Sequence, residues 1–379
     1  MNFLKKLLLF ILTTVILSTN VFAISARSAV VIDKESGRVL FSHNKDEKRG
    51  MASTTKIMTA ICALEHGNPQ KIVTISPTAS GIEGSSMYLA IGEKLPLIDL
   101  ISGLMIVSGN DAATAIAETV SGDVETFAAL MNKKAAEIGA YNTSFTNPHG
   151  LSDENHYTTA HDLAKITAYA MQNPDFCEIV ATKTKKLPQS EGGYARTLVN
   201  HNKFLSMYEG CMGVKTGFTK ATGRCLVTAA KKNELSLICV TLNDPDDWAD
   251  HRTLLDSAFD TYSAVKIKNK DTLVDTAEVS NGTISEVELV TASDLYVPLK
   301  DEEKDLVNIK AEAFEALTAP IKKGDVLGKI LVEVSGEKCG EFPLVAKTDV
   351  ETKKPIFKPS SGFSDTFKKF LYSWITCFQ

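Results

Sequence analysis

Ser53 and Lys56 stand three residues apart in Ser53-Thr54-Thr55-Lys56, at the start of a stretch with helical periodicity. One turn of helix separates such residues, so a hydroxyl and an amine on this spacing share a face and can come within hydrogen-bond reach. At a helix N-terminus, free backbone N–H groups and the positive end of the dipole favour a developing oxyanion. A serine is weakly nucleophilic until a base takes its proton, and Lys56 can be that base only when neutral. Lowering a lysine from ~10.4 to about 7 works against its ammonium form by about 4–5 kcal/mol, which burial and a second cation can supply. The same two residues read equally well as a helix N-cap and a solvated charge. Ser42/Lys45, Ser263/Lys266 and Ser335/Lys338 repeat the spacing, so the tetrad alone does not select catalysis.

Two further groups narrow the choice. Ser108-Gly109-Asn110 falls between two helical patterns, where a loop can hold a hydroxyl and a carboxamide over a cleft. Lys215-Thr216-Gly217 follows Gly213 on a strand-like run. Glycine there lets a substrate backbone approach, while the lysine and threonine offer a cation and a hydroxyl to a carboxylate. Each group alone also fits ordinary turn or strand residues.

The elements that must carry these groups are legible. Ala29–Ile32 and Val39–Phe41 flank Glu35-Ser36-Gly37, a hairpin signal. Helical patterns run over Thr54–Glu65, Leu97–Ile106, Asp111–Val120, Val124–Ile138 and His161–Gln172, the last stopped by Pro174. Strands return at Gly213–Thr216, Leu226–Ala230 and Leu235–Leu242, and a helix from about Trp248 to Tyr262 closes the region. Strands at both ends with helices between predict an α/β (α+β) domain over 24–266, its sheet completed by distant parts of the chain and backed by helices. Over 267–350, Thr272–Val274, Val287–Val290, Val307–Ile309 and Ile330–Val334 alternate with turn residues and predict a small β-rich domain.

The chain has 379 residues, 44% of them apolar, with 41 Lys plus Arg against 46 Asp plus Glu. That composition excludes disorder, collagen and coiled coil as the main architecture. A formal charge of -5 gives no general attraction for nucleic acid. The seven cysteines include no Cys-x-x-Cys pair, so no metal site is expected; an odd count leaves at least one thiol unpaired. Residues 1–23 read as an export signal: Lys5 and Lys6, an apolar run from Leu7 to Leu17, then Val21-Phe22-Ala23 before the cleavage point. At the other end, residues 351–379 combine a polar, proline-bearing linker with Phe363, Phe367, Phe370, Leu371, Trp374, Ile375 and Phe378 at helical spacing. That stripe predicts an interfacial helix on the outer membrane face, with packing on the preceding domain as the alternative.

The segments Met51–Lys56, Gly84-Ser85-Ser86-Met87, Ser108–Ala113, Asn147-Pro148-His149-Gly150-Leu151 and Gly213–Thr219 resemble those of the low-molecular-mass penicillin-binding proteins, the serine D-alanyl-D-alanine carboxypeptidases. The resemblance is strong over about residues 28–265 and looser beyond. It implies an antiparallel sheet flanked by helices with an all-helical subregion, as in β-lactamases and transpeptidases. It also implies removal of the terminal D-alanine from peptidoglycan stem peptides through a serine acyl-enzyme, covalent inhibition by β-lactam antibiotics, and no cofactor. By the same resemblance Ser53 is the nucleophile, Lys56 its base, Ser108 the proton relay and Asn110 the amide that holds substrate. Lys215, Thr216 and Gly217 line the carboxylate side, and the backbone N–H groups of Ser53 and Phe218 form the oxyanion hole. Arg252 is a further candidate for the substrate carboxylate, with a surface arginine on the closing helix as the alternative reading. Thr222-Gly223 departs from the Ala-Gly common in the family.

Three rival readings fit these residues less well. A Ser-x-x-Lys β-lactamase resembles its relatives in a Glu-x-x-x-Asn element between the second and third motifs, and no glutamate there has asparagine four residues on. A Ser-His-Asp hydrolase lacks its Gly-x-Ser-x-Gly elbow, and His149 fits a structural loop. A non-catalytic wall-binding protein predicts no acylation at Ser53.

Overall fold

The computed structural model describes residues 24–354, so the expected export signal and the C-terminal aromatic stripe lie outside the described residues. The described residues form two compact units, one of residues 24–267 with 296–308 and 332–341, the other of residues 268–295, 309–331 and 342–354.

In the first unit, β1 (Ser28–Asp33) and β2 (Val39–His43) form the expected hairpin, Ala29 opposite His43. A 3₁₀ turn over Ala52–Thr55 then runs directly into α1 (Lys56–His66), where helical periodicity predicts an uninterrupted α-helix from Thr54. Thr54 and Thr55 return their hydroxyls to the carbonyls of Met51 and Ala52, at 2.6 and 2.7 Å, which holds the tighter turn. A short ladder of β3 (Ile72–Thr74) and β4 (Lys94–Pro96) precedes α2 (Leu97–Ile106), α3 (Asn110–Ser121), α4 (Val124–Ile138) and α5 (Ala160–Ala170). Pro174 stops α5 as expected, yet it also starts α6 (Pro174–Ala181): proline suits the first helical position, and the Asn173 side chain caps the Phe176 amide at 3.1 Å. The hairpin of β5 (Thr184–Leu187) and β6 (Arg196–Val199) and the short α7 (Phe204–Met207) lead to β7 (Cys211–Thr219), β8 (Gly223–Lys232), β9 (Leu235–Leu242) and α8 (Asp247–Thr261).

These strands make an antiparallel sheet in the order β2-β1-β9-β8-β7, so the N-terminal hairpin is completed by strands some two hundred residues away. Alternation sorts the side chains. Val30 and Ile32 of β1 join Val227, Ile238 and Val240 in the core facing the helices between β2 and β7. Ala29 and Val31 face the other way, with Leu237 and Cys239, against Leu254, Leu255 and Ala258 of α8. Because both faces are covered, β1 and β9 are buried at every position and read as unbroken apolar runs.

The chain continues through β10 (Ser263–Lys268), β11 (Leu273–Glu278), β12 (Glu286–Thr291), β13 (Leu295–Leu299), β14 (Val307–Ala313), β15 (Val326–Val334) and β16 (Glu337–Ala346). β10 pairs with β13, and the others form a five-stranded sheet in the order β11-β12-β16-β15-β14, overlapping each of the expected strand segments. Among the described residues Cys62, Cys177, Cys211, Cys225, Cys239 and Cys339 are free thiols.

Candidate active site

The 3₁₀ turn before α1 puts Ser53 at the floor of a cavity of about 380 Å³, lined by Ser53, Ser85, Ser108, Thr216, Gly217 and Phe218, with Arg224 and Trp248 beside them. Three stretches remote in sequence supply this lining, and each is held by specific contacts.

Lys56 begins α1 and is fully buried behind the cavity. Its Nζ lies 3.0 Å from Ser53 Oγ, 2.7 Å from Asn110 Oδ1 and 2.6 Å from the His149 carbonyl oxygen. A neutral amine has two N–H donors and one lone pair. The two carbonyl-type oxygens can only accept, so they take the two donors and leave the lone pair for the serine proton. Burial and then the nearby Lys215 ammonium hold Lys56 well below the ordinary lysine range, with Asp111 opposing. Lys215 is buried as well, and desolvation lowers it to about 7; its Nζ donates to its own neighbour's carbonyl, Thr216 O, at 2.9 Å.

The second stretch is the loop between α2 and α3. Ser108 sits in the left-handed region at φ 62°, and Ala52, just before Ser53, does so at 47°. Non-glycine residues there store of order 1–3 kcal/mol each, and such residues gather where a side chain must be aimed. Asn110 donates its side-chain amide to Glu83 O at 2.6 Å while its Oδ1 meets Lys56, so its orientation is fixed from both ends. Asp111 accepts from Ser86 Oγ and from the backbone of Met87 and Leu89, at 2.6, 3.0 and 3.0 Å, and so suspends the 85–89 segment as one wall of the cavity.

The third stretch is β7, which brings Thr216, Gly217 and Phe218 beside the turn that carries Ser53. A Cβ on Gly217 would stand 3.0 Å from Ser53 N and 3.1 Å from Met51 O, so glycine allows this approach. Gly150, at φ 89°, permits an equally close approach from below, where a Cβ would overlap Ala52 O at 1.9 Å. The loop around it is fixed by Asn147, which accepts from Gly150 N at 2.7 Å and donates to Leu151 O at 3.0 Å. His156 braces the turn, its Nε2 2.7 Å from Thr55 Oγ1 and its Nδ1 accepting from Thr146 N at 3.1 Å; burial pushes it down to about 4, so it is neutral.

Ser53, Lys56, Ser108, Asn110, Lys215, Thr216, Gly217 and Phe218 are thus brought together. Arg252 is not. It projects from α8 to donate to Met207 O at 2.7 Å, with its guanidinium 5.7 Å from the Tyr208 ring, and it lines a different cavity with Lys231, Lys232 and Asp256. Arg252 lies one helical turn beyond Trp248 along α8, where it reaches Met207 instead of the cleft. The guanidinium in the cleft is Arg224, brought in by the β7–β8 register that sets it opposite Phe218, and tied at 2.7 Å to Asp247. Pairing β7 with the run after Thr222-Gly223 would have found it.

The sequence matches the model of a family described as D-alanyl-D-alanine carboxypeptidase over residues 15–246, and that of the penicillin-binding protein 5 C-terminal domain over 262–352. Among curated proteins it is 33% identical over 366 residues to the D-alanyl-D-alanine carboxypeptidase DacF of Bacillus subtilis, covering 94% of this chain and 92% of the relative. It is also 33% identical to DacC of Escherichia coli, at 87% and 85% coverage. Among solved structures it resembles penicillin-binding protein 5 from Haemophilus influenzae, with a TM-score of 0.69, 29% identity, and 86% and 98% of the two chains covered.

Proposed function

The chain belongs to the D-alanyl-D-alanine carboxypeptidase family and is a serine-type carboxypeptidase of peptidoglycan maturation that binds β-lactams; on that premise we propose the roles of its residues. The observation that carries them is the buried Lys56 amine 3.0 Å from Ser53 Oγ. Neutral Lys56 takes the Ser53 proton as Oγ attacks the carbonyl of the penultimate D-alanine. The backbone N–H groups of Ser53 and Phe218 receive the oxyanion, a device worth ~2.7–4 kcal/mol per donor. Ser108 passes the proton to the departing amine, and the C–N bond breaks to leave D-alanine and an ester on Ser53. Water then hydrolyses the ester, returning the hydroxyl and the shortened stem peptide. Asn110 fixes Lys56 and the substrate amide, while Lys215 and Thr216 hold the terminal carboxylate. Among the described residues lining the cavity the carboxylate is Asp247, engaged by Arg224, which supports a penicilloyl ester that persists.

Residues 24–266 form the catalytic domain and 267–350 an accessory one. Residues 1–23 direct export, and the aromatic stripe within 351–379 rests on the outer face of the cytoplasmic membrane. Loss of membrane sedimentation on removing 360–379 is the expected result for that anchor. For the chemistry, D-alanine release from diacetyl-L-Lys-D-Ala-D-Ala is measured for the wild type and Ser53→Ala, with fluorescent penicillin as the covalent probe. Release and labelling should vanish together; release that survives overturns the nucleophile.

A further inference from the structure

The stretch that leads into β1 lies against two carboxylates. Ser25 N donates to Asp250 Oδ2 at 2.6 Å, and Ala26 N reaches the same oxygen at 3.3 Å. Ser25 Oγ lies 2.7 Å from Asp244 Oδ1 and 2.9 Å from Asp250 Oδ2. Asp244, in the connection between β9 and α8, is fully buried; Asp250, in the first turn of α8, is 8% exposed. Ile24, partly buried, packs on the apolar cluster that joins Ala29 and Val31 of β1 to Leu254 and Leu255 of α8. Its position is therefore set by its own side chain and by the bonds of Ser25.

This corner of the fold is short of positive charge. A hydroxyl has one hydrogen, so Ser25 Oγ can donate to only one of the two carboxylates at a time. Asp244 Oδ2 is buried with no hydrogen-bond partner. Among the described residues neither Asp244 nor Asp250 forms an ion pair, and the nearby Arg224 is held by Asp247 at 2.7 Å. The dipole of α8 offsets only part of two converging carboxylates. Burial pushes the Asp244 carboxyl up against the Ser25 and Thr241 hydroxyls, and the Asp250 carboxylate adds to the rise. Buried carboxylates of this kind call for a cation.

The chain itself can supply one. Hydrolysis of the Ala23–Ile24 bond leaves a carboxylate on Ala23 and an α-ammonium on Ile24. That nitrogen stands one residue ahead of Ser25 N, and successive residues are about 3.8 Å apart along the chain, which brings it beside the Asp250 carboxylate. We propose that Asp244 and Asp250 form a docking site for this new N-terminus. The proposal rests on the reading of residues 1–23 as an export signal cleaved after Ala23. In the precursor the same nitrogen is a neutral amide, and the two carboxylates gain no cation from it. Processing thus ties the leading end of β1 to the start of α8, whose Asp247 and Trp248 line the cleft.

Mass spectrometry of the exported protein should show a chain that begins at Ile24; any other start overturns the proposal through the export reading. Docking is tested separately, on chains of residues 24–379 with a free Ile24 amine, an acetylated one, or Gly-Ser placed ahead of it. Acetylation and extension should each lower Tm by about 2–4 °C. In Asp250→Asn the three forms should melt together, below the free-amine wild type. An Asp250 that served only as acceptor for the Ser25 and Ala26 amides would lower Tm when replaced, whatever the state of the Ile24 nitrogen. Fluorescent penicillin labelling reports an intact Ser53 site in every form. Three wild-type forms of equal Tm would overturn the docking site even with Ile24 as the exported start, and so would a loss on acetylation that persists undiminished in Asp250→Asn.

Discussion

The two units treat polar groups in opposite ways. In the first, Lys56, Glu93, Asp111, Lys215 and His251 are all buried to within 1% exposure, as are several threonines. In the second, Thr291 is the buried polar side chain among the described residues, and the ion pairs Lys322–Glu351, Lys329–Glu312 and Lys347–Glu288 lie in solvent. A buried ionisable group costs several kcal/mol unless it is neutralised or fully paired, so a fold retains one where its altered acidity is used. Exposed pairs contribute little and mark a surface that need only stay soluble. Buried ionisable groups thus gather in the unit that holds the candidate site.

The sharpest way to break that contrast is to replace the buried amine. Lys56→Met keeps the length and packing but removes the base, and penicillin acylation measured by stopped flow should fall by about 10³-fold or more. A fall below tenfold would mean that burial of this lysine serves packing. Next in size is Gly217→Val, which forces β7 away from the Ser53 turn; a displacement of this kind costs about 10²-fold in acylation. Circular dichroism should show the fold retained.

The pH dependence sharpens the comparison. The kcat/KM profile reports the free enzyme, with Lys56 needed neutral and Lys215 needed charged. The acid limb therefore lies where Lys56 gains its proton, well below the ordinary lysine range, and the alkaline limb near the value of about 7 for Lys215. Removing the Lys215 cation relieves repulsion on the Lys56 ammonium, so the Lys56 pKa rises. In Lys215→Met the acid limb should move to higher pH, alongside a general loss of activity. A limb that stays in place would show that burial alone sets the amine.

In the second unit the expected effects are small. Thr291 Oγ1 donates to Asn269 O at 2.7 Å and accepts from Thr272 N at 3.0 Å. Thr291→Val should cost about 1–3 kcal/mol by denaturant titration while acylation stays at the wild-type rate. Least of all, Lys322→Ala should leave Tm unmoved, because both of its carboxylate partners are exposed.

Much of the site was legible because its chemistry demands particular side chains. Ser53, Lys56, Ser108, Asn110 and the Lys215–Phe218 run stand out together through the resemblance of their segments to the family's, since spacing alone leaves each group ambiguous. The oxygen of His149 carries no such mark: any residue there offers a carbonyl, and only the turn held by Asn147 and Gly150 aims it at Lys56. Arg252 and Arg224 show the same limit from the other side. A cation near the cleft is easy to expect, but strand register decides which one arrives. The sheet itself was legible from apolar runs buried on both faces, whereas α6 hid behind a proline that ends one helix and begins the next. Ser53's 3₁₀ turn was hidden as well, since its threonine-to-carbonyl bonds leave no periodic signature.

β7 closes the sheet with a neighbour on one side only, and that placement has a consequence for handedness. A substrate laid along its vacant side is gripped by its main chain, with side chains projecting alternately to the two walls of the cleft. Inverting one Cα in such a grip swings its methyl to the opposite wall while the peptide groups stay aligned. A substrate held on that margin would have its alanine enantiomers distinguished by the wall each methyl meets.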